Sequence, residues 1–287
     1  MKRTALAFAL IVALSILVLA GALVVEIAEA NPAAMSQAFN PDLPHVYIRS
    51  DGSVEPSSAP IERTADTYAL AFGIVGFTLE VQRDHVVVDG AGFSIRSNAS
   101  GQLPLAGVII SDRNSVTVKN LVVEGFHEGV SIYNSSNSII VHNTIVSNEI
   151  GIGISWSKDT FLGKNNITSN AEEGIFVDSP DRTKIAGNNV TRNGSGIGHD
   201  TLIPSIFTNV IILGNNISEN TGTGISIGFR SQIDLIVGNN ISLNGIGVSI
   251  WETVCTLYRN NFIGNTLHCD FPTGFWSYEE LGGQPVP

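Results

Sequence analysis

Apolar and polar residues alternate in short runs through most of the chain between residues 81 and 268. Runs such as SVTVKN and SIIVHN place an apolar side chain at every second position. A period of two is typical of β-strands that bury one face, whereas a helix repeats its apolar positions every three or four residues. The pattern therefore predicts an all-β chain built from many short strands.

The alternation is organised by a longer repeat that three kinds of marker position share. A glycine followed by valine or isoleucine returns at steps of 22, 22, 23, 22, 28 and 23 residues. The marker glycines are Gly107, Gly129, Gly151, Gly174, Gly196, Gly224 and Gly247. The asparagine markers are Asn120, Asn143, Asn165, Asn188, Asn215, Asn239 and Asn260, and a second set five residues later begins at Asn148. Markers that keep phase over seven units indicate a structural repeat rather than one catalytic constellation.

Three short strands per repeat predict one coil of a parallel β-solenoid, in which stacked coils bury a continuous apolar core. The third strand of each coil is expected to point Val122, Ile145, Ile167, Val190, Ile217, Ile241 and Phe262 inward. The seven asparagines Asn120 to Asn260 are expected to form a ladder, stacked about 4.8 Å apart. Asparagine tolerates unusual turn dihedrals and has both a donor and an acceptor, so the ladder would satisfy backbone groups at a turn.

Two upstream segments extend the pattern, VDGAGFSI at 88–95 and HVYIRSDGSVEPSSAPIERTADTYAL at 45–70. Together with the repeats they resemble NosD-like parallel β-helix proteins of the archaeal surface type, within the carbohydrate-binding and sugar-hydrolase β-helix group. The resemblance covers about residues 45–268 and implies a right-handed single-stranded parallel β-helix with an N-terminal strand cap. It is specific for the fold and much less so for function, because β-helices carry many activities.

The N-terminal segment predicts export, and composition along the rest of the chain predicts the domain boundaries. Lys2 and Arg3, an apolar run and the small residues before position 31 read as a secretory signal peptide over 1–30. An uncleaved membrane anchor is the alternative, because the run is long enough to span a bilayer. We further predict a linker at 31–44, a cap at 45–76, the β-helix at 77–268 and a C-terminal cap or tail at 269–287. No second apolar run follows, so the mature chain is expected outside the cell or on its surface, with no transmembrane segment after cleavage.

Charge and cysteine content narrow the function classes. The net charge of −11 and the dispersed basic residues disfavour nucleic acid and anionic membranes as partners. Export permits a disulfide between Cys255 and Cys269, although the two residues fall at different phases of the repeat and their pairing stays open. The oligomeric state also stays open.

The NosD resemblance implies copper delivery, which the residues do not favour. The mature sequence has Met35 as its one methionine, and its histidines are His45, His85, His127, His142, His199 and His268. No two of these histidines lie within four residues of each other. Soft copper sites need clustered Cys, Met or His, so we predict no metal site of that kind. Calcium is left open as a cofactor.

One outward column of the first sheet carries the candidate chemistry. It holds Ser111, Tyr133, Ser155, Asp178, Asp200, Gly228 and Trp251. Asp178 and Asp200 would stand about 5 Å apart on adjacent coils, and with Asp181 they are weak catalytic candidates. Tyr133, Trp156, Phe176 and Trp251, with Asp178 and Asp200, form a candidate carbohydrate-binding set, and Phe229 is a further aromatic on this face. Exposed aromatic side chains can stack on sugar rings, and carboxylates can accept hydrogen bonds from the hydroxyl groups of the sugar.

We therefore favour an exported protein that presents a binding surface for polysaccharide or surface glycan. The alternatives are a polysaccharide lyase or hydrolase, a structural or adhesive surface module, and a NosD-like copper-related accessory protein.

Three smaller features also give expectations. His199 occupies a phase that is apolar in other coils, so it should point toward the core. Lys119, His142 and Lys164 are expected to form a basic stripe on another face. The sequons at Asn98, Asn134 and Asn193 are glycosylation candidates, whereas Asn166, Asn189, Asn216 and Asn240 would form one outward column that is too crowded for glycans on neighbouring coils.

Overall fold

The computed structural model describes residues 44–98, 105–200, 209–228, 232–251, 254–270 and 277–278. The predicted signal peptide, the linker up to residue 43 and most of the predicted C-terminal cap lie outside the described residues. Within this part of the chain every regular element is a strand, as the period-two alternation predicts. No helix among the described residues is long and apolar enough to cross a membrane.

The strands form three parallel sheets, and each coil contributes one strand to each sheet in turn. Sheet A contains β1 (His45–Ile48), β2 (Val54–Glu55), β6 (Thr78–Val81), β9 (Ala106–Ser111), β12 (Glu128–Tyr133), β15 (Ile150–Ser155), β18 (Glu173–Asp178), β21 (Ser195–Asp200), β24 (Thr223–Ile227), β27 (Ile246–Ile250) and β30 (Leu267–Asp270). Sheet B contains β3 (Ile61–Thr64), β4 (Thr67–Leu70), β7 (Val86–Asp89), β10 (Val116–Lys119), β13 (Ile139–Val141), β16 (Phe161–Gly163), β19 (Thr183–Ala186), β22 (Val210–Leu213), β25 (Gln232–Val237), β28 (Val254–Tyr258) and β31 (Ser277–Tyr278). Sheet C contains β5 (Ile74–Val75), β8 (Ser94–Arg96), β11 (Val122–Glu124), β14 (Thr144–Val146), β17 (Asn166–Thr168), β20 (Asn189–Thr191), β23 (Asn216–Ser218), β26 (Asn240–Ser242) and β29 (Asn261–Ile263). The predicted parallel β-solenoid with three strands per coil is confirmed.

The segment predicted as an N-terminal cap forms the first coil as well as the strands that close it. β1 pairs in parallel with β6, and β4 pairs in parallel with β7. β2 and β3 run antiparallel to β1 and β4 at the open edges of sheets A and B. These short antiparallel strands occupy the edges on which another chain would otherwise pair. At the other end, β30 extends the coils through Cys269 to Asp270, past the start of the predicted tail.

The core is a column of branched aliphatic side chains that point inward from all three sheets. Ile152, Ile154 and Ile167 are fully buried, and the equivalent positions of neighbouring coils hold Val or Ile. His199 is buried at the same position of its coil, between Val177 and Ile227. It therefore lies in the core, as its phase in the repeat suggests.

Buried asparagines stack at the turn between sheets B and C. Asn143, Asn165, Asn188, Asn215, Asn239 and Asn260 form this ladder, each amide bonding to the next coil. The prediction that Asn120 belongs to the ladder is wrong. Leu121 holds the ladder position of its coil, and its N–H donates to Asn143 Oδ1 at 3.0 Å. Asn120 is exposed instead and donates to Asp89.

The strand register and the backbone dihedrals correct three other predictions. Val122 pairs with Thr144 on the outward side of sheet C, while Val123 pairs with Ile145 and is fully buried. The unusual turn dihedral belongs to the residue before each ladder asparagine, such as His142 (φ 58°) and Lys164 (φ 55°), rather than to the asparagine. Lys119 sits one position earlier, in line with Val141, so it does not share a column with those two residues.

A second buried ladder stacks at the turn between sheets C and A. It contains Asn148, Asn170, Asn193, Asn220, Asn244 and Asn265, again with amide-to-amide bonds between coils. Each coil therefore contributes one asparagine to each of two ladders. The ladders satisfy polar backbone groups at two of the three corners of the coil.

Candidate functional site

The predicted site residues lie on or beside the outward face of sheet A. On this face, equivalent outward side chains of successive strands align in columns. Tyr133 pairs with Ser155, Ser155 with Asp178, and Asp178 with Asp200, each on the next coil. The fifth-position column is therefore continuous across these strands, as its phase predicts. A ligand lying along this face would cross the strands at their outward side chains.

The three aspartates predicted as catalytic candidates have different environments. Asp178 is only 5% exposed although it is on the outward side, and its Oδ1 accepts a hydrogen bond from Ser179 Oγ at 2.9 Å. Asp200 continues the column as its backbone partner. Asp181 lies in the turn after β18, where Arg182 forms a salt bridge with it at 2.7 Å. The same guanidinium binds Asp159 through two hydrogen bonds, so Arg182 joins Asp181 and Asp159 in one ion-pair network.

Aromatic side chains give the face its stacking surface. Trp251 is 43% exposed, and its Nε1 donates to Ser249 Oγ at 2.9 Å. Because Ser249 lies on the outward side of β27, this bond holds the indole back against sheet A. Phe176 is half-buried and lies beside Gly198 on the neighbouring strand, with Cδ2 3.5 Å from the position that a Cβ would take there.

Two predicted members of the aromatic set do not lie on a strand of this face. Trp156 follows the last residue of β15 and has φ 54°, so it belongs to the turn between sheets A and B. Phe229 lies outside the described residues. Tyr133 is half-buried at the end of β12.

A glutamate that the column analysis missed lies across the middle of the face. The Glu128 carboxyl group is within 2.8–2.9 Å of the point where Gly153 would carry a Cβ. Burial raises the pKa of Glu128 above its ordinary value, while a hydrogen bond from Ser131 and the nearby His127 act in the opposite direction. The Glu128 carboxyl group is therefore easier to protonate than an exposed glutamate.

Glu173 repeats this arrangement two coils further on. Its Cγ lies 3.5 Å from the Cβ position of Gly198, and partial burial raises the pKa of its carboxyl group. Two coil spacings place Glu128 and Glu173 about 10 Å apart along the axis, and Glu173 lies on the same strand as Phe176. The sequence signal is a glutamate just before a marker glycine, combined with a glycine at the outward third position of the next coil.

Three of the histidines have separate environments. His45 contacts Glu80 on sheet A, His127 contacts Glu149, and His199 lies in the core. No three His, Cys, Asp or Glu side chains come together as metal ligands in the part of the chain that the structure describes. The chemistry present is that of carboxyl groups beside aromatic rings.

Two solved structures with the same architecture are enzyme domains by their names. The A-module of the mannuronan C-5 epimerase AlgE6 from Azotobacter vinelandii aligns with a TM-score of 0.58 and 18% identity, covering 73% of this chain and 61% of that chain. The enzymatically active domain of tailspike protein 2 from bacteriophage CBA120 aligns with a TM-score of 0.53 and 14% identity, covering 82% and 42%. At these identities the likeness shows the shared β-helix fold.

Sequence comparison gives one short curated match and one long family match. The 3-dehydroshikimate dehydratase of Acinetobacter baylyi is 35% identical over 89 residues, which are 29% of this chain and 18% of that protein. The chain thus matches less than a fifth of the length of that relative. The profile of the family described as periplasmic copper-binding protein (NosD) matches residues 71–209 and 203–280. Since these matches span most of the coils, the chain belongs to the NosD family.

Proposed function

We propose that the chain is an exported β-helix protein that binds a polysaccharide along the outward face of sheet A. The observation that carries the proposal is Trp251, an exposed indole held against the sheet by its bond to Ser249. An exposed aromatic fixed in one orientation loses little conformational entropy when a sugar ring stacks on it. Half-buried Phe176 and Tyr133 provide further ring surfaces on earlier coils.

The polar groups of the face suit the hydroxyl groups of a sugar. Glu128 lies on the sheet beside Gly153, and Glu173 lies beside Gly198. A carboxyl group can accept two or more hydroxyl donors. Tyr133 is the last residue of β12, and Trp251 follows β27 five coils further on. The face therefore extends about 24 Å along the axis. A linear chain of several sugar rings can lie along it.

Export and the class of partner have separate support. Residues 1–30 have the pattern of a secretory signal, and the family to which the chain belongs is described as periplasmic. The name of the aligned epimerase gives mannuronan, a polysaccharide, as its substrate. A carbohydrate ligand outside the cytoplasm agrees with both.

A glycan array with the full chain tests the proposal. Wild type should bind a defined set of glycans, and Trp251→Ala should weaken that binding roughly tenfold, because ring stacking is worth about 1 kcal/mol or more. Phe72→Ala is the matched control, since Phe72 is an exposed aromatic that packs on Phe93 away from this face.

Two outcomes would overturn the proposal. Wild type that retains no glycan would exclude binding, and an equal loss in the two variants would exclude the sheet A face. Release of reducing ends by wild type, with loss of that activity in Glu128→Gln, would make the face catalytic instead.

A further inference from the structure

A groove on the outside of sheet B lies on a different face from the proposed polysaccharide site. It has a volume of about 560 Å³ and crosses the coils of β13, β16, β19 and β22. Its lining residues are Val141, His142, Phe161, Gly163, Lys164, Ala186, Gly187, Leu213 and Gly214. Three coil spacings give it a length of about 14 Å.

The floor of the groove is an aromatic ring in a depression made by small residues. The Phe161 ring lies flat against its own strand, with Cζ 2.6 Å from the point where Gly163 would carry a Cβ. Ala186 follows Gly163 on the next coil, so no large side chain fills the space above the ring on that side. Val141 and Leu213 close the two ends of the depression.

The turn beside the floor keeps the groove open. Gly187, Gly214 and Gly238 adopt φ of 66°, 61° and 62°, at the position that holds His142 and Lys164 in earlier coils. A left-handed backbone favours glycine there, and no heavy atom lies within 4 Å of the Cβ position of Gly214 or Gly238. The Lys164 side chain extends over Gly187, with Cγ 3.9 Å from its Cβ position.

Two lysines at the groove stand without a carboxylate partner among the described residues, whereas most of the other described basic residues have one. The basic residues with salt bridges to carboxylates are Arg49, Arg83, Arg96, Arg113, Lys119, Arg182 and Arg192. Lys164 and Lys184 are exposed, and neither forms a salt bridge with another described residue. Lys184 is the direct neighbour of Phe161 on the next coil. A protein of net charge −11 thus carries two exposed lysines without a salt bridge to a described residue near the half-buried Phe161 ring.

We propose that this groove binds an anionic oligosaccharide, with a sugar ring stacked on Phe161 and its carboxylate between Lys164 and Lys184. The aromatic floor accepts the apolar face of a pyranose, and the two ammonium groups neutralise a negative charge at its edge. His142 supplies a further ring nitrogen at the rim. The site is separate from the sheet A face, which carries Glu128, Glu173 and Asp178.

The shape of the groove favours a sugar over other anions. A lipid requires a deep channel for its acyl chain, whereas this floor is open and shallow with one aromatic ring. A phosphate group is bound best by paired arginine forks or by a row of backbone N–H groups, and two separated lysines lack that geometry. Lysine ammonium groups near the Phe161 ring can each pair with a separate carboxylate of a uronate chain.

Isothermal titration of the full chain with tetragalacturonate tests the proposal, with its tetramethyl ester as the uncharged probe. The acid should bind and the ester should bind at least about tenfold more weakly, because only the ester lacks the carboxylates. Lys164→Gln combined with Lys184→Gln should weaken binding of the acid about three- to tenfold, and added salt should do the same to wild type. Phe161→Ala should weaken both probes.

Matched controls keep the test specific. Lys158→Gln removes the same charge from an exposed lysine in the turn between sheets A and B, and it should leave the titration unchanged. Trp251→Ala should also leave it unchanged, which separates this site from the sheet A proposal. The melting temperature of each variant shows that it is folded.

Four results would overturn the inference. The first three are equal binding of acid and ester, an equal loss in Lys158→Gln, and loss through Trp251→Ala instead of the groove variants. Absence of tetragalacturonate binding combined with groove-dependent binding of anionic phospholipid vesicles would assign the groove to a lipid surface and reject the sugar.

Discussion

At the scale of single residues, the buried asparagines connect each coil to the next through both ends of the side-chain amide. Asn188 Oδ1 accepts from the backbone N–H and from Nδ2 of Asn165, both at 3.0 Å. Its Nδ2 donates to Leu162 O and to Asn215 Oδ1, again at 3.0 Å. One side chain therefore satisfies two backbone groups of the preceding coil. A buried backbone group without a partner costs as much as a lost hydrogen bond.

Asn188→Leu should lower the free energy of unfolding by about 1–3 kcal/mol, because the Asn165 N–H loses its acceptor in a buried site. The matched control is Asn189→Leu, the same change at the next residue, which is half-buried on the outside of sheet C. The control should stay within about 0.5 kcal/mol of wild type. Urea unfolding of the full chain measures both variants. Equal stability of the two would contradict the structural role of the ladder.

Glu128 gives the stability a dependence on pH. Burial raises its pKa in the folded state above the ordinary value of 4.5, so the folded protein binds the proton more tightly than the unfolded chain. This contribution to stability is complete below about pH 4.5 and is lost as pH rises through the folded-state pKa.

Glu128→Gln stays neutral at every pH, so its stability relative to wild type should increase from pH 4 to pH 7. The slope can reach about 1.4 kcal/mol per pH unit within the window between the two pKa values. Urea unfolding of both proteins at each pH gives the difference. A difference that does not change with pH would show that the carboxyl group is not desolvated as the structure indicates.

At the scale of the strands, the marker glycines are required by close approach between coils rather than by unusual dihedrals. A Cβ on Gly151 would lie 2.3 Å from the carbonyl oxygen of Gly174 and 2.8 Å from Ile167 Cγ2. Neighbouring marker glycines have the same contact with the next coil, such as 2.5 Å for Gly129 and 2.3 Å for Gly196. Backbone atoms cannot move aside as a flexible side chain can, so the column excludes every residue with a Cβ.

Gly151→Ala should therefore destabilise the protein by about 1–3 kcal/mol through overpacking. Gly198→Ala offers a matched comparison, because a Cβ there would have its nearest neighbours at 3.5 Å, an ordinary contact distance. That variant should stay within about 0.5 kcal/mol of wild type. Melting temperatures of the two variants decide the matter, and a larger loss for Gly198→Ala would contradict the packing described.

The repeat predicts the strands and most of their register because period and marker residues both depend on stacking. It fails at Asn120, since any asparagine near the expected step fits the pattern, while the ladder position of that coil holds Leu121. The site was harder to predict. Column analysis gives the outward row of Asp178 but not its burial, because coverage by neighbouring side chains leaves no periodic signal. Glu128 was missed since its carboxyl group crosses to the next coil, beyond its own row.

At the scale of the whole molecule, stacking gives each outer face of the solenoid its own chemistry. Sheet A presents aromatic rings and carboxyl groups, whereas sheet B presents an apolar groove with Lys164 and Lys184. On sheet C a third asparagine row is exposed to solvent or half-buried, formed by Asn166, Asn189, Asn216, Asn240 and Asn261. Because every row repeats with the coil, modification of one member affects the members above and below it.

Glycosylation tests this row across the molecule. Asn189, Asn216 and Asn240 each donate their Nδ2 to the preceding asparagine at 2.7–2.8 Å. Neighbours stand about 4.8 Å apart, too close for bulky glycans on adjacent coils. Asn193 is buried, and its Nδ2 donates to both Ile167 O and Asn220 Oδ1, so the folded protein has no room for a glycan there. Burial thus argues against Asn193 as a carrier, although its sequon suggests one.

Expression in a secretory host that glycosylates sequons, followed by peptide mass spectrometry, should find glycans at exposed Asn98 and Asn134 and none at Asn193. In the sheet C row, one glycan should exclude another on the next coil, so molecules with adjacent sites occupied should be rare. Asn134→Gln should remove its own glycan without changing the row, because it lies at the turn between sheets A and B. Full occupancy of Asn166, Asn189, Asn216 and Asn240 in folded protein would contradict the stacked register, since four glycans cannot fit at one coil spacing.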